Sequence, residues 1–175
     1  MSVSATPVEE LVAGWPETPR ESAKTVVEKY GPPDEATESF LLWHQRAPWK
    51  RIVLWRDEVD HRFPTPHKDV LEQVIDYRVP PDVGSELLRY DGSVVVERTR
   101  GELSARCEGE EANFLALNLA HEIVTGAITA NEARRKYTEA MRAFSAGERP
   151  EAMQRLLFEV ARGGTSDEDR PTIED

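Results

Sequence analysis

The run SVVVERTRGELSARC, residues 93–107, constrains the fold more than any other stretch of the chain. Apolar and polar residues alternate on either side of Arg100-Gly101, as in two antiparallel strands joined by a tight turn. With Arg100 and Gly101 as a two-residue turn, Thr99 pairs with Glu102, Val96 with Ala105, and Val94 with Cys107. Val94, Val96, Leu103, Ala105 and Cys107 then share an apolar face, and Glu97, Ser104 and Arg106 share the opposite one. A hairpin with one apolar side must be covered by something, and the sequence supplies helices.

Two helices follow directly. In EEANFLALNLAHEIVTG the residues Ala112, Leu115, Ala116, Leu119, Ala120 and Ile123 form a stripe at helical spacing, and Gly126 suits the C-terminal cap. TANEARRKYTEAMRAF opens with a Thr-x-x-Glu capping box, Thr129 and Glu132. The short connection between them predicts an antiparallel helical hairpin. Upstream, TPRESAKTVVEKYGPP reads as a helix capped by Thr18 with Glu21, carrying Ala23, Val26, Val27 and Tyr30 inward, and stopped at Gly31 by Pro32 and Pro33.

SFLLWH and WKRIVLWR read as strands joined by QRAP. KDVLEQVIDYRVPP carries a conflict, because Val70, Leu71, Val74 and Ile75 have helical spacing whereas Ile75, Tyr77 and Val79 alternate. A helix followed by a strand is the expectation there. PPDVGSELLRYDG reads as a short helix ending near Asp91 and Gly92. The order of elements predicts an α+β fold: an antiparallel or mixed sheet with helices covering one face, ending in the helical hairpin. The expected divisions are a flexible segment over 1–17, a single domain over 18–147, and an amphipathic helix with a disordered acidic tail over 148–175.

With 175 residues and 39% hydrophobic content the chain can bury a core, and its net charge of −11 opposes binding to nucleic acid or anionic lipid. A single cysteine, Cys107, rules out an internal disulfide. The opening MSVSATPVEELVAGWPE lacks the basic and continuous apolar segments of a secretory signal, and no apolar run approaches the ~20 residues needed to cross a bilayer. A cytoplasmic location and no membrane partner are expected.

Three functional readings follow. Met153, Leu156, Leu157 and Val160 are spaced as one face of an amphipathic helix, which points to a non-catalytic domain that binds a protein partner or a second copy of itself. This is the leading expectation, and it requires no cofactor. In DEVDHRFPTPHKD, residues 57–69, two histidines stand among carboxylates in a proline-stiffened stretch read as a connecting loop. His61, His67, Asp57, Asp60 and Asp69, with His44 as a further nitrogen donor, are the candidate ligands of a transition metal in a metal-dependent enzyme, a hydrolase for example. Arg51, Arg56, Arg98 and Arg106 are candidates for holding a small anion. Cys107 with His121 invites a thiol–imidazole pair, but the hairpin register turns Cys107 to the apolar face, where a free cysteine acts as a small hydrophobe.

Overall fold

The computed structural model describes residues 7–173. The helices are α1 (Val8–Leu11), α2 (Glu17–Tyr30), α3 (Gly84–Tyr90), α4 (Glu110–Val124) and α5 (Ala130–Ser145). The strands are β1 (Glu35–Ala36), β2 (Phe40–Arg46), β3 (Trp49–His61), β4 (His67–Asp76), β5 (Val94–Glu97) and β6 (Glu102–Cys107). They form one six-stranded sheet in the order β1-β2-β3-β4-β6-β5, antiparallel at every pairing. The fold is therefore α+β. Among the described residues no helix is long and apolar enough to cross a membrane.

β4 occupies the centre, and its burial explains why its sequence points to a helix at the start. Leu71, Gln73 and Ile75 are buried on one side and Val70 and Val74 on the other, so the alternation that marks a half-exposed strand is erased. What remains mimics a helical stripe. The same strand corrects the loop expected over 57–69: residues 57–61 finish β3, 67–69 begin β4, and only 62–66 connect them.

The β3–β4 pairing contains a large bulge. Leu54 pairs with Leu71 and Val59 with Asp69, so four residues of β3 oppose a single residue of β4. The excess of three is odd, and an odd offset exchanges the faces of a strand relative to its partner. Before the bulge Ile52 and Leu54 share a side with Gln73 and Leu71; after it, Val59 and His61 share that side with Asp69 and His67.

The β5–β6 hairpin keeps the expected faces with a different register. Val94 pairs with Ala105 and Val96 with Leu103, two residues from the expected pairing, because a four-residue turn over 98–101 replaces a two-residue one. A shift of two leaves every side chain on its side. Gly101 takes φ +67°, and a Cβ there would strike the Thr165 backbone.

α4 is the core helix, with Ala112, Leu115, Ala116, Leu119, Ala120 and Ile123 buried as its spacing predicts, and Asn113, Phe114, Leu117 and Asn118 buried as well. α5 begins with the expected capping box at Thr129 and Glu132. α2 ends at Gly31 as expected but begins at Glu17, without a side-chain cap at Thr18. Its start is set by packing, since Val12 and Trp15 just upstream are buried in the core. The expected flexible segment therefore contains α1 and the core residues Val12 and Trp15, while residues 1–6 lie outside the described part.

The C-terminal segment also departs from expectation. It forms one 3-10 turn, Glu151–Met153, in place of an amphipathic helix. Buried Asn118 explains this: its amide donates to the carbonyls of Ala152 and Arg155, both at 2.9 Å, and its Oδ1 accepts from Leu157 N at 2.7 Å. These bonds hold the backbone in an irregular path. Farther on, Thr165 Oγ1 donates to the Gly101 carbonyl at 2.7 Å, and Asp167 pairs with Arg98, also at 2.7 Å. The stretch expected as a disordered tail is thus tied to the sheet through Asp167, and residues 174–175 lie outside the described part.

Candidate metal centre

His61 ends β3 and His67 opens β4, and the two are direct cross-strand partners with ring centroids 4.8 Å apart. The connection that aligns them is held by α5. Phe63 packs on Tyr137 with centroids 5.0 Å apart, and the Arg134 guanidinium lies 3.8 Å above the Phe63 ring. Asp69 follows two residues after His67 on the same face, at 1% exposure. One ligand atom from each of His61, His67 and Asp69 lies within 4.8 Å of the others.

Each histidine has one nitrogen turned to Asp69 and the other held. His67 Nε2 is 3.1 Å from Asp69 Oδ1, while its Nδ1 donates to the Thr65 carbonyl at 2.8 Å. That bond keeps a proton on Nδ1, so that Nε2 is the nitrogen that gives up its proton and turns a lone pair inward when the ring becomes neutral. His61 Nδ1 is 3.3 Å from Asp69 Oδ2, and its Nε2 faces Asp91 Oδ1 at 3.6 Å. Ser93 Oγ donates to Asp69 Oδ2, and the Ser93 amide donates to Asp91 Oδ1 at 2.8 Å. Cys107 completes the cluster, with Sγ 3.3 Å from His67 Nε2.

The electrostatics of this cluster centre on one buried carboxylate, Asp69. Asp69 Oδ1 is buried, and no aligned hydrogen-bond donor reaches it among the described residues, with His67 Nε2 standing 3.1 Å away. Burial pushes the Asp69 carboxyl up, but His67 and Ser93 outweigh it and hold the group below the usual carboxylate range. The Asp69 carboxylate, followed by Cys107, drives the His67 imidazole up to about 11. Burial raises the Asp91 carboxyl against the lowering pull of the Ser93 amide. Without another cation, the proton on His67 balances Asp69.

The other proposed ligands are elsewhere. Asp60 pairs with Lys68 on the opposite side of the hairpin, and exposed Asp57 contacts Arg56. His44 pairs with Glu35 at 2.7 Å and sits opposite Arg51, ten residues from His61 along β3. The four arginines do not form one anion site. Arg51 binds Glu102, Arg56 binds Asp57, and Arg98 binds Asp167 and Asp169, while Arg106 pairs across the ladder with Glu72. His121 is not a partner of Cys107; its Nδ1 meets the Tyr77 hydroxyl at 2.8 Å, and its ring stacks on Phe158. In the partner-binding stripe, Met153 and Leu156 are buried in the domain's own core, Val160 is half-buried, and Leu157 is exposed.

Ser93, Asp91 and Cys107 are parts of this site that sequence reasoning misses. The Asp-Gly-Ser sequence after α3 reads only as a turn, and the approach of Cys107 depends on the pairing of β6 with β4. A cleft of about 1090 Å3, lined in part by Tyr30, Trp49, Lys50 and Phe158, is not lined by His61, His67 or Asp69. Beside it Glu110 accepts from Tyr30 Oη at 2.6 Å and from Trp49 Nε1 and Gln73 Nε2 at 2.7 Å.

No protein-family model matches the chain, and neither does a curated protein or a solved structure.

Proposed function

We propose that this protein binds a divalent transition-metal ion through His61, His67 and Asp69. The observation that carries the reading is the convergence of one ligand atom each from His61, His67 and Asp69 within 4.8 Å, around a buried Asp69 Oδ1 that no aligned donor reaches among the described residues. Two imidazoles and a carboxylate are an N/O donor set suited to zinc and its neighbours, and poorly suited to the all-oxygen shells of magnesium or calcium. The outer contacts add support, because a backbone carbonyl behind His67 and a carboxylate behind His61 are the usual partners of ligating histidines. Ser93 does the same for Asp69.

Burial of Met153 and Leu156 leaves little of the C-terminal stripe for a partner. The carboxylate contacts of Arg51, Arg56 and Arg98 likewise weigh against a shared anion site. A hydrolytic role for the metal requires a coordination position held by water.

The test is elemental analysis of tag-free protein prepared without chelators or metal columns, followed by titration of the metal-free chain with Zn2+, Mn2+, Fe2+ and Ni2+. Near-stoichiometric uptake of one of them, lost in the folded His61→Ala, His67→Ala double variant, is the expected result. A folded wild-type chain that takes up none of the four overturns the reading.

A further inference from the structure

Resting on that metal-binding reading, we infer that Cys107 is the fourth ligand and that it selects a thiophilic ion such as zinc over manganese or magnesium. The geometry around His67 points there. A tetrahedral zinc ion with bonds of about 2.0–2.1 Å to nitrogen and oxygen and about 2.3 Å to sulfur holds N and O ligands about 3.3 Å apart and N and S about 3.6 Å apart. The observed separations are 3.1 Å for His67 Nε2 to Asp69 Oδ1 and 3.3 Å for His67 Nε2 to Cys107 Sγ, while His61 Nδ1 stands 3.3 Å from the other carboxylate oxygen, Oδ2, so that one shell closes only with a turn of the carboxylate or of the His61 ring. The His67–Cys107 edge thus has nearly the length that a shared ion imposes; His61, His67 and Asp69 already converge within 4.8 Å, and Cys107 joins them by a movement of its sulfur toward that group.

Position and charge agree with this assignment. Cys107 pairs with Leu71 on β4, two residues from Asp69, and its sulfur approaches His67 Nε2. The buried Asp69 Oδ1, which no aligned donor reaches among the described residues, is a separate observation that favours a cation at this point. Two neutral histidines and one carboxylate leave a divalent ion with one net positive charge in a site where Asp69 and Cys107 are both buried, and a net buried charge is costly. A thiolate cancels it. On binding, the Cys107 S–H bond and the His67 Nε2–H bond both break, the two protons leave to solvent, and the freed sulfur and nitrogen electron pairs form the bonds to the metal.

The consequence is a closed shell of two imidazoles, one carboxylate and one thiolate with no position for water, which makes the centre structural or regulatory and removes the hydrolytic option. Thiolate ligation favours zinc and cobalt over manganese and magnesium.

The experiment is titration of the metal-free chain with Co2+, read by absorption, with Zn2+ and Mn2+ affinities measured in parallel. Visible ligand-field bands of tetrahedral intensity, together with a near-ultraviolet sulfur-to-cobalt charge-transfer band, are expected for wild type. In Cys107→Ser the charge-transfer band disappears and Zn2+ affinity falls by about 100-fold or more, while Mn2+ affinity changes by less than about tenfold. Visible bands without charge transfer in wild type overturn the Cys107 assignment and leave the three-ligand reading standing. A wild-type chain that binds neither Co2+ nor Zn2+ overturns both. The wild-type spectrum decides the matter even if Cys107→Ser fails to fold, and Cys107→Ala gives a second check on the affinity ratio.

Discussion

Replacing Glu110 with alanine should be among the most damaging single changes to this fold, although the residue is a charged side chain at a helix start. Glu110 is the first residue of α4, where a carboxylate also complements the helix dipole, and only 11% of its side chain is exposed. It joins three elements, accepting from Tyr30 on α2, Trp49 on β3 and Gln73 on β4. Without it, fully buried Gln73 is left with an unpaired amide. That amide cannot usefully flip, because Gln73 Oε1 accepts from Asn113 at 3.0 Å. An orphaned buried donor of this kind costs about 2 kcal/mol. Trp49 keeps the Tyr30 hydroxyl at 3.0 Å, so these two together lose less, about 1–2 kcal/mol. The Lys29 pair, half exposed on the lysine side, contributes about 0–1 kcal/mol. Glu110→Ala should therefore destabilise by about 4 kcal/mol. Glu110→Gln keeps one acceptor and should lose about half as much. Urea unfolding followed by tryptophan fluorescence and circular dichroism reads this directly, and an m-value of about 2 kcal/mol/M moves the alanine midpoint down by about 2 M. An alanine variant within about 1 kcal/mol of wild type at unchanged m would refute the argument, showing that water or a relaxed Gln73 satisfies the network.

Three further outcomes follow from other parts of the molecule. With His67 raised to about 11, the metal-free chain carries a proton there at neutral pH that Zn2+ must displace, so that displacement alone strengthens affinity by about tenfold per pH unit between pH 6 and 8. Calorimetry in buffers of different ionisation enthalpy should show this proton released together with that of Cys107, and pH-independent affinity would contradict it. His121 is held below its ordinary value of 6.5, by burial first, with Glu122 opposing. Its neutral form therefore favours the native state above pH 6.5, and that contribution is lost as pH falls through the folded value. His121→Gln should flatten the acid side of the stability profile, and an unaltered slope between pH 7 and 5 would count against this. At Gly101, alanine meets both a φ of +67° and the Thr165 backbone, so Gly101→Ala should cost about 2 kcal/mol and open the C-terminal segment to limited proteolysis. A digestion pattern identical to wild type would count against the close approach.

What can be read from the sequence is whatever depends on one element at a time. The α4 stripe, the α5 capping box and the two faces of the β5–β6 hairpin follow from local spacing and capping chemistry, and they stand as expected. β4 reads falsely as a helix because burial on both faces removes period-two alternation. The C-terminal stripe has helical spacing, but Asn118, from a different part of the chain, bonds its backbone in another conformation. The candidate centre divides in the same way. His61, His67 and Asp69 stand out as a nearby group of donors, whereas separating them from Asp57 and Asp60 requires the hairpin register and its three-residue excess. Ser93, Asp91 and Cys107 join through pairings and contacts between distant segments, for which one sequence carries no local sign.

The β3–β4 hairpin also sets an order of events. Three of the four proposed ligands, His61, His67 and Asp69, fall within nine consecutive residues, whereas Cys107 is 38 residues beyond Asp69. Closing a loop of about ten residues takes roughly 10–100 ns, and forming a hairpin roughly 1–10 μs, before strands distant in sequence have met. An ion present during folding can therefore engage the hairpin tip first and acquire its sulfur only when β6 docks on β4. In refolding with Co2+, ligand-field absorption should precede charge transfer, and the delay between them would time the closure of the sheet.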